Sequence, residues 1–318
     1  MSAIPRRQIL VAAVALVAMT SVIATAPTVS ASFPGGDGLL LFSFPAGDGF
    51  DTWTVTPDGS DLTMLVPGAS FAVWSADGTR IAYVKEMPRP NLPGVPQSDI
   101  WVAAADGSYP LRITTNGRDD TQPAWSPNGR WLAFVSNRSG SAEIYKIRSD
   151  GSGQAVRLTV RVPRRGDREP DWSPDGSLIA YTSNRPHTEE VRTVPAAGGE
   201  SSLVKRDFSS PSWSPDGERI LGRPIVDGYA RLGHIAADGS DLVVIGDGGE
   251  EWFGEDPAWS PEGDRFAFMF NVPEDPPTSA TATVYVAPIN GSSDPVAIAE
   301  HYGPVFQLTD LSWQPVVP

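Results

Sequence analysis

Three carboxylates occupy the same position in different copies of a repeated sequence motif. Glu169, Asp256 and Asp310 each lie three residues before a tryptophan, and Gln122 lies at the same place in another copy. If the repeat brings these side chains around one opening, their oxygen atoms could bind a cation or the amines of a peptide. The alternative is structural, since polar side chains can cap the backbone amides of neighbouring loops. We favour this alternative and keep the four residues as the candidate binding site.

The tryptophans mark the elements that must position these side chains. They are separated by 51, 47, 41, 46 and 54 residues, and most are followed by Ser-Pro-Asp-Gly or a close variant. Self-similarity at this period indicates an array of identical supersecondary units. We interpret the tryptophans as packing between units, not as ligand-stacking residues. The six copies are Trp74, Trp125, Trp172, Trp213, Trp259 and Trp313.

Each unit contains the pattern of four antiparallel strands joined by tight turns. Around Trp125 the first turn is Asn128-Gly129 and the third is Asp150-Gly151. Such dipeptides are the strongest short signals of a β-hairpin. Strands are predicted over residues 121–126, 131–135, 143–148 and 154–159. Four strands in a repeat of this length are typical of a β-propeller blade.

The number of turns predicts how many blades there are and how the ring closes. The Asp-Gly type of third turn recurs six times, whereas the first turn occurs five times. Residues 38–66 would then supply three strands of one blade, and residues 308–315 would supply its fourth strand. We predict an all-β, six-bladed β-propeller closed by pairing of its N- and C-terminal segments, which removes exposed sheet edges.

The second strand of most units alternates large and small residues, as in Ile81-Ala82-Tyr83 and Leu132-Ala133-Phe134. Successive side chains of a strand point to opposite faces of the sheet. We therefore expect the large residues to pack against one neighbouring blade and the alanine against the other. Ile220-Leu221-Gly222 departs from this pattern, so we expect its unit to pack differently.

Composition argues against several classes of function. The chain has no Cys, which excludes disulfides, zinc–thiolate sites and thiol nucleophiles. Its net charge is −14, and removal of residues 1–31, which contain two Arg and no acid, would give −16. Such an acidic chain is poorly suited to nucleic acid or an anionic membrane. The three His lie in different units without metal-ligand spacing, so we expect no metal, no other cofactor and no catalytic residue.

Residues 1–31 have the composition of a secretory signal peptide. An Arg pair, similar to that of twin-arginine export signals, precedes an uncharged apolar run over residues 9–24, and Val29-Ser30-Ala31 is a suitable cleavage site. A retained membrane anchor is the alternative, but 16 apolar residues are short for a membrane span. We predict a signal peptide over residues 1–31 and one propeller domain over 32–318. The mature protein would be secreted or periplasmic, without stable membrane insertion.

One recurring sequence motif resembles the repeat of a known family. Asp-x-x-Pro-x-Trp-Ser-Pro-Asp-Gly-x-x-Ile-Ala-Phe-x-Ser-Asn-Arg is similar to the TolB-type, WD-like propeller repeat, and residues 120–138 and 169–185 match it most fully. Similar repeats occur in the propellers of prolyl-oligopeptidase-like and tricorn-like peptidases. The resemblance implies the propeller fold. We expect neither the α/β domain of TolB nor the hydrolase domain of the peptidases, and the sequence contains no Gly-x-Ser-x-Gly nucleophile elbow.

Blade topology predicts where the binding surface lies. The first and third connections of every blade lie on one face of the disc, the turn face, and they are short. The second connections and the connections between blades form the opposite loop face, and binding residues concentrate on such loops. The loop face would carry a basic segment with Arg164, Arg165 and Arg168, and an acidic, aromatic segment with Trp252 and Phe253. Separated opposite charges and exposed aromatic residues favour a protein or peptide partner, and ordinary solvated loops are the alternative.

Taken together, these patterns predict a non-enzymatic, monomeric binding module for an envelope or extracellular protein. The alternative function is a catalytic or carbohydrate-binding propeller that uses carboxylates at the central channel. Paired carboxylates about 5–9 Å apart would favour that alternative. A purely structural cell-surface scaffold is a third hypothesis.

Overall fold

The polypeptide folds into β-strands alone within the residues that the structure describes. This structure is a computed structural model, and it describes residues 38–47, 49–88, 95–160, 166–185, 188–245, 255–273, 279–304 and 309–315. The strands form six antiparallel sheets arranged as the blades of a ring, so the predicted six-bladed β-propeller is confirmed. Over these same ranges, no helix is long and apolar enough to cross a membrane.

The blades are numbered in chain order, and blades 2 to 6 each consist of consecutive strands. Blades 1 to 3 contain β1 Leu40–Ala46, β2 Gly49–Val55 and β3 Thr63–Val66; β4 Ala69–Trp74, β5 Arg80–Pro88, β6 Pro96–Ala104 and β7 Leu111–Arg112; β8 Asp120–Trp125, β9 Trp131–Ser136, β10 Glu143–Arg148 and β11 Val156–Arg157. Blades 4 to 6 contain β12 Asp167–Trp172, β13 Leu178–Arg185, β14 Thr188–Pro195 and β15 Ser202–Arg206; β16 Phe208–Trp213, β17 Arg219–Val226, β18 Tyr229–Ala230, β19 Gly233–Ala236 and β20 Val243–Val244; β21 Glu255–Trp259, β22 Arg265–Pro273, β23 Ser279–Pro288 and β24 Val296–Pro304. The last strand, β25 Thr309–Trp313, returns to blade 1.

The ring closes by pairing the two ends of the described chain. β25 lies antiparallel to β1, with Leu40 opposite Trp313. The backbone N–H of Gln314 donates to the carbonyl of Leu39 at 2.9 Å. On its other side, β25 contacts blade 2, where the N–H of Trp74 donates to the hydroxyl of Ser312 at 3.1 Å. Blade 1 therefore takes strands from both ends of the sequence, as the turn count predicts.

Six hydrophobic clusters hold the ring together, and each joins one pair of adjacent blades. Between blades 3 and 4, Ala133 of β9 faces Trp172 of β12 and Tyr181 of β13. The same arrangement recurs between blades 2 and 3, where Ala82 faces Trp125. Large residues thus pack against the preceding blade and the alanine against the following one, as expected from the period of two. Removing one such buried Trp side chain would cost about 3–5 kcal/mol of stability.

Blade 5 departs from this pattern in the way that its second strand predicts. Leu221 takes the place of the alanine and packs with Trp259 of blade 6. Gly222 stands where other blades have a large residue, and a Cβ there would lie 2.4 Å from the ring of Phe208. Phe208 is fully buried and fills that space from the innermost strand. The interface between blades 4 and 5 is therefore built around Phe208.

The Ser-Pro-Asp-Gly repeat is the turn that joins the first two strands of a blade. In blade 4, the Ser173 hydroxyl donates to Asp175 at 2.6 Å and accepts from the N–H of Leu178 at 3.0 Å. Gly176 adopts a φ of 72°, which glycine reaches without strain. The same serine–backbone bond recurs at Ser75, Ser126, Ser214 and Ser260. This turn fixes each innermost strand against the second strand of its blade.

Candidate functional site

The innermost strands line a central channel of about 530 Å³. Because each of these strands begins at the loop face, its first residues lie nearer that face and its Ser-Pro turn lies at the other. The described wall is mainly Pro, Ala, Ser and Trp. The polar side chains at its loop-face end are those of Gln122, Glu169, Ser210 and Asp256, and this set is called the channel mouth.

A β-bulge places each channel-mouth residue. In blade 4, the pairing with β13 passes from Arg168 opposite Thr182 to Asp171 opposite Ala180. Glu169, inside this bulge, has a φ of 55°. The copies in the other blades have φ of 52° at Phe71, 50° at Gln122, 52° at Ser210 and 46° at Asp256. Left-handed backbone costs a residue other than glycine about 1 kcal/mol, so the surrounding contacts must hold it.

Hydrogen bonds from blade to blade provide that support. The backbone N–H of Glu169 donates to the Gln122 side-chain oxygen at 3.0 Å. One blade further on, the N–H of Ser210 donates to Oε2 of Glu169 at 3.0 Å and to the hydroxyl of Thr182 at 2.9 Å. Gln122 and Glu169 therefore cap neighbouring amides, which is the structural alternative favoured from the sequence. Their role in partner binding remains a prediction.

Arg168 belongs to the channel-mouth network. Its guanidinium forms ion pairs with Glu169 at 2.9 Å and with Glu189 at 2.6 Å, and it also donates to Asn184. Thr182 donates its hydroxyl to Oε2 of Glu169 at 2.7 Å. Burial opposes ionisation of Glu189, but Arg168 outweighs it and lowers the pKa of Glu189 below its usual range. Arg168 thus orients Glu169 instead of presenting an unpaired charge.

The other predicted residues lie on further strands of the ring or outside the described residues. Asp256 lines the channel and is half-buried. Asp310 lies in β25, the innermost strand of blade 1. The remaining predicted contacts lie outside the described residues: Arg164, Arg165, Trp252 and Phe253. The predicted separation of basic and acidic loop segments therefore stays a prediction.

One residue of the channel escaped the sequence analysis. Asp171 lies in the wall next to Trp172, and its Oδ2 accepts a hydrogen bond from the N–H of Trp213 at 2.7 Å. Burial, opposed by backbone hydrogen bonds, raises the pKa of Asp171 to about 6. Comparison of the repeats position by position could have found it, because the other copies are uncharged: Val73, Ala124, Ser212, Ala258 and Ser312.

One histidine, His234, is not among the residues that line the channel, and His187 lies outside the described residues. His234 lies in β19, the third strand of its blade, and burial together with Arg219 lowers its pKa. In the part of the chain that the structure describes, no group of three or more His, Cys, Asp or Glu is placed to hold a metal ion.

A ring of six such blades around a channel defines a β-propeller of the kind used for binding and for catalysis. The chain belongs to the TolB beta propeller domain family, which matches residues 67–262. The Tol-Pal system protein TolB of Bordetella pertussis is 48% identical over 139 residues, covering 43% of this chain and 31% of that protein. The chain thus spans less than a third of the length of the curated relatives it matches first.

Solved structures confirm the propeller architecture. TolB from Acinetobacter baumannii has a TM-score of 0.65 at 17% identity, covering 87% of this chain and 67% of that chain. An oligogalacturonate lyase in complex with manganese has a TM-score of 0.52 at 14% identity, covering 74% of each chain. At these identities, both similarities show the fold alone.

Proposed function

We propose that the protein is an exported binding module that holds a protein or peptide partner at the channel mouth, on the loop face. The observation that carries this proposal is the acidic opening of the channel. Glu169 and Asp256 lie at the channel mouth, and no Lys, Arg or His is among the described residues that line the wall. Such an opening suits a partner with Lys, Arg or free amino groups, because complementary charge speeds encounter and selects partners.

The backbone of the channel mouth also supports a binding role. Gln122, Glu169 and Ser210 are fixed to one another by bonds that cross between blades. A partner that meets a prearranged surface loses little free energy in ordering it. We propose that Arg164, Arg165, Trp252 and Phe253 supply further contacts around this opening.

Export completes the proposal. Cleavage after Ala31 would leave a mature chain that begins at Ser32, a few residues before β1. The B. pertussis relative is named a Tol-Pal system protein, and we propose that this chain likewise works within a protein assembly of the cell envelope. The mass of the protein recovered from the extracytoplasmic fraction tests export, since an uncleaved N-terminus or a cytoplasmic location contradicts it.

The binding role is tested by affinity capture with crosslinking from envelope extract. The variant Glu169→Gln, Asp256→Asn, Asp310→Asn, called the channel-mouth variant, changes two acids of the channel mouth and Asp310, which the sequence predicts beside them. It removes three negative charges but keeps acceptor oxygen atoms. A matched control, Asp106→Asn, Asp150→Asn, Asp238→Asn, removes three charges from exposed turns of the turn face. We expect a partner that is recovered by the wild type and the control, and bound at least about tenfold more weakly by the channel-mouth variant. Equal recovery by all three proteins would contradict the proposal.

A further inference from the structure

One carboxylate of the described channel wall, that of Asp171, has no cationic partner. Asp171 is half-buried, and its side chain accepts hydrogen bonds only from backbone N–H groups, with Trp213 at 2.7 Å as the closest. Within the described ranges, no Lys, Arg or His forms an ion pair with it. A partly desolvated charge without a counter-ion is unfavourable, so its presence needs an explanation.

The surroundings of Asp171 do not supply that counter-ion. The other titratable groups among the described lining residues are Glu169 on the same strand and Asp256 on β21, and both are acids. Glu169 is already held by Arg168, Thr182 and the N–H of Ser210. Asp171 is therefore a wall carboxylate for which the described chain supplies no ion pair.

We propose that Asp171 anchors an amine-binding subsite inside the channel, which takes the ammonium group of a Lys side chain or of a chain N-terminus. This inference deepens the proposed binding function and rests on it for the source of the amine. Since the N–H of Trp213 occupies Oδ2, Asp171 offers mainly its other oxygen. A single oxygen suits the compact charge of an ammonium group better than a guanidinium, which prefers both carboxylate oxygens.

A divalent metal ion fits this position less well than an amine. Calcium takes six to eight oxygen ligands, and magnesium requires a near-octahedral set. The described lining of the channel offers two further carboxylates, Glu169 and Asp256, beside hydroxyl, amide and apolar side chains. Within the described residues, no group of three or more His, Cys, Asp or Glu is placed to hold a metal ion. One carboxylate oxygen at Asp171 suits a singly charged group better than a divalent metal ion.

Protons compete with the amine for the Asp171 carboxylate, so binding at this subsite should depend on pH. The pKa of Asp171 is raised to about 6, so the carboxylate is mostly ionised at neutral pH and mostly protonated near pH 5. An alkyl ammonium group stays charged over this range. Amine affinity should therefore fall about tenfold between about pH 7.5 and pH 5. Glu169 and Asp256 line the same channel. The variants Glu169→Gln and Asp256→Asn therefore show whether these two acids contribute to the pH dependence of amine affinity.

The experiment titrates the purified protein with n-butylamine and, separately, with n-butanol, and follows binding by calorimetry or NMR. We expect n-butylamine to bind, n-butanol to bind at least about tenfold more weakly, and the affinity for n-butylamine to show the pH dependence above. Asp171→Asn keeps an acceptor for Trp213, and it should lose at least about tenfold in affinity together with the pH dependence. Asp106→Asn, on an exposed turn, should leave both unchanged, and thermal melting checks that every variant is folded.

The outcomes separate this subsite from the proposed function. Amine binding that survives in Asp171→Asn, or that n-butanol matches, overturns the subsite whatever the capture experiment shows. In a different outcome, Asp171→Asn loses amine binding, but the channel-mouth variant recovers the partner as well as the wild type does. That outcome retains the subsite and overturns the proposed function.

Discussion

Glu169 and Asp171 are two carboxylates two residues apart on one strand, but the groups that surround them differ. Glu169 lies in a β-bulge and is held by Arg168, Thr182 and the N–H of Ser210. Asp171 follows the bulge and is held only by backbone amides. Both carboxylates bond to blade 5, Glu169 through the N–H of Ser210 and Asp171 through the N–H of Trp213, but Glu169 has a cation beside it and burial raises the pKa of Asp171.

The difference lies in which neighbours can compensate a charge. Glu169 meets a cation and a hydroxyl because Arg168 precedes it and Thr182 belongs to the adjacent strand of its own blade. Asp171 also lines the channel, but the lining that other blades contribute contains no Lys, Arg or His among the described residues. The charge of Glu169 is thus compensated within the chain, whereas that of Asp171 is the one that the proposed amine would compensate.

The largest effect is expected from removing the carboxylate of Glu169. Glu169→Ala should lower the free energy of unfolding by about 3 kcal/mol, because it leaves the Arg168 charge and the Thr182 hydroxyl with fewer partners. Glu169→Gln keeps an acceptor oxygen and should cost about 1 kcal/mol. Urea denaturation measures both. A loss no greater for Glu169→Ala than for Glu169→Gln would show that the acceptor oxygen atoms of Glu169 do not stabilise the fold.

Removing the Asp171 carboxylate should instead raise the free energy of unfolding at neutral pH. Its pKa rises from 3.8 to about 6 on folding, so the native state binds this proton more tightly than the unfolded chain. The ionised carboxylate therefore destabilises the fold above about pH 6, and that penalty disappears as the pH falls through this range towards 4. Asp171→Asn should be more stable than the wild type by about 2 kcal/mol at neutral pH and equal to it near pH 4.

The control for this pH dependence is an acid with the opposite shift. Hydrogen bonds from Ser108 lower the pKa of Asp106, so its ionised form stabilises the fold and the benefit is lost as the pH falls. Asp106→Asn should therefore never gain stability over the wild type at neutral pH. If Asp171→Asn and Asp106→Asn follow the same pH profile, Asp171 is not the uncompensated charge described here.

These two acids also show what the sequence could and could not predict. The fold was predictable because six Trp copies repeat the same local signals of turn, strand and alternating size. The ring position of Glu169 followed from counting back from Trp172. Its capping of Ser210 could not be read in detail, because it depends on a bulge and on a neighbour 41 residues away.

Asp171 was missed for a different reason. It has no acidic counterpart in the other copies, so a search for shared features passes over it. Its raised pKa arises from burial in the folded ring, which no local pattern records. The departure at Leu221 and Gly222 was visible because it breaks a pattern, and the same kind of reading would have exposed Asp171.

A smaller effect is expected from the hydrogen bond between Gln122 of blade 3 and Glu169 of blade 4. Gln122→Ala removes the oxygen that accepts from the N–H of Glu169 at 3.0 Å. The loss of one side chain-to-backbone bond should lower the free energy of unfolding by about 1 kcal/mol. Hydrogen exchange at Glu169 should speed up in parallel. Unchanged exchange there would mean that the Gln122 cap does not hold the channel mouth.

The smallest effect separates the backbone of the channel mouth from its side chains. Ser210 has a φ of 52°, which glycine adopts freely, whereas Ser212 on the same strand is not left-handed. Ser210→Gly should therefore gain about 0.5 kcal/mol, because relief of strain exceeds the added freedom of the unfolded chain. Ser212→Gly brings only that added freedom and should lose about 1 kcal/mol. If both variants lost stability equally, the left-handed bulge would not be strained, and the channel mouth would depend on the Ser210 side chain instead.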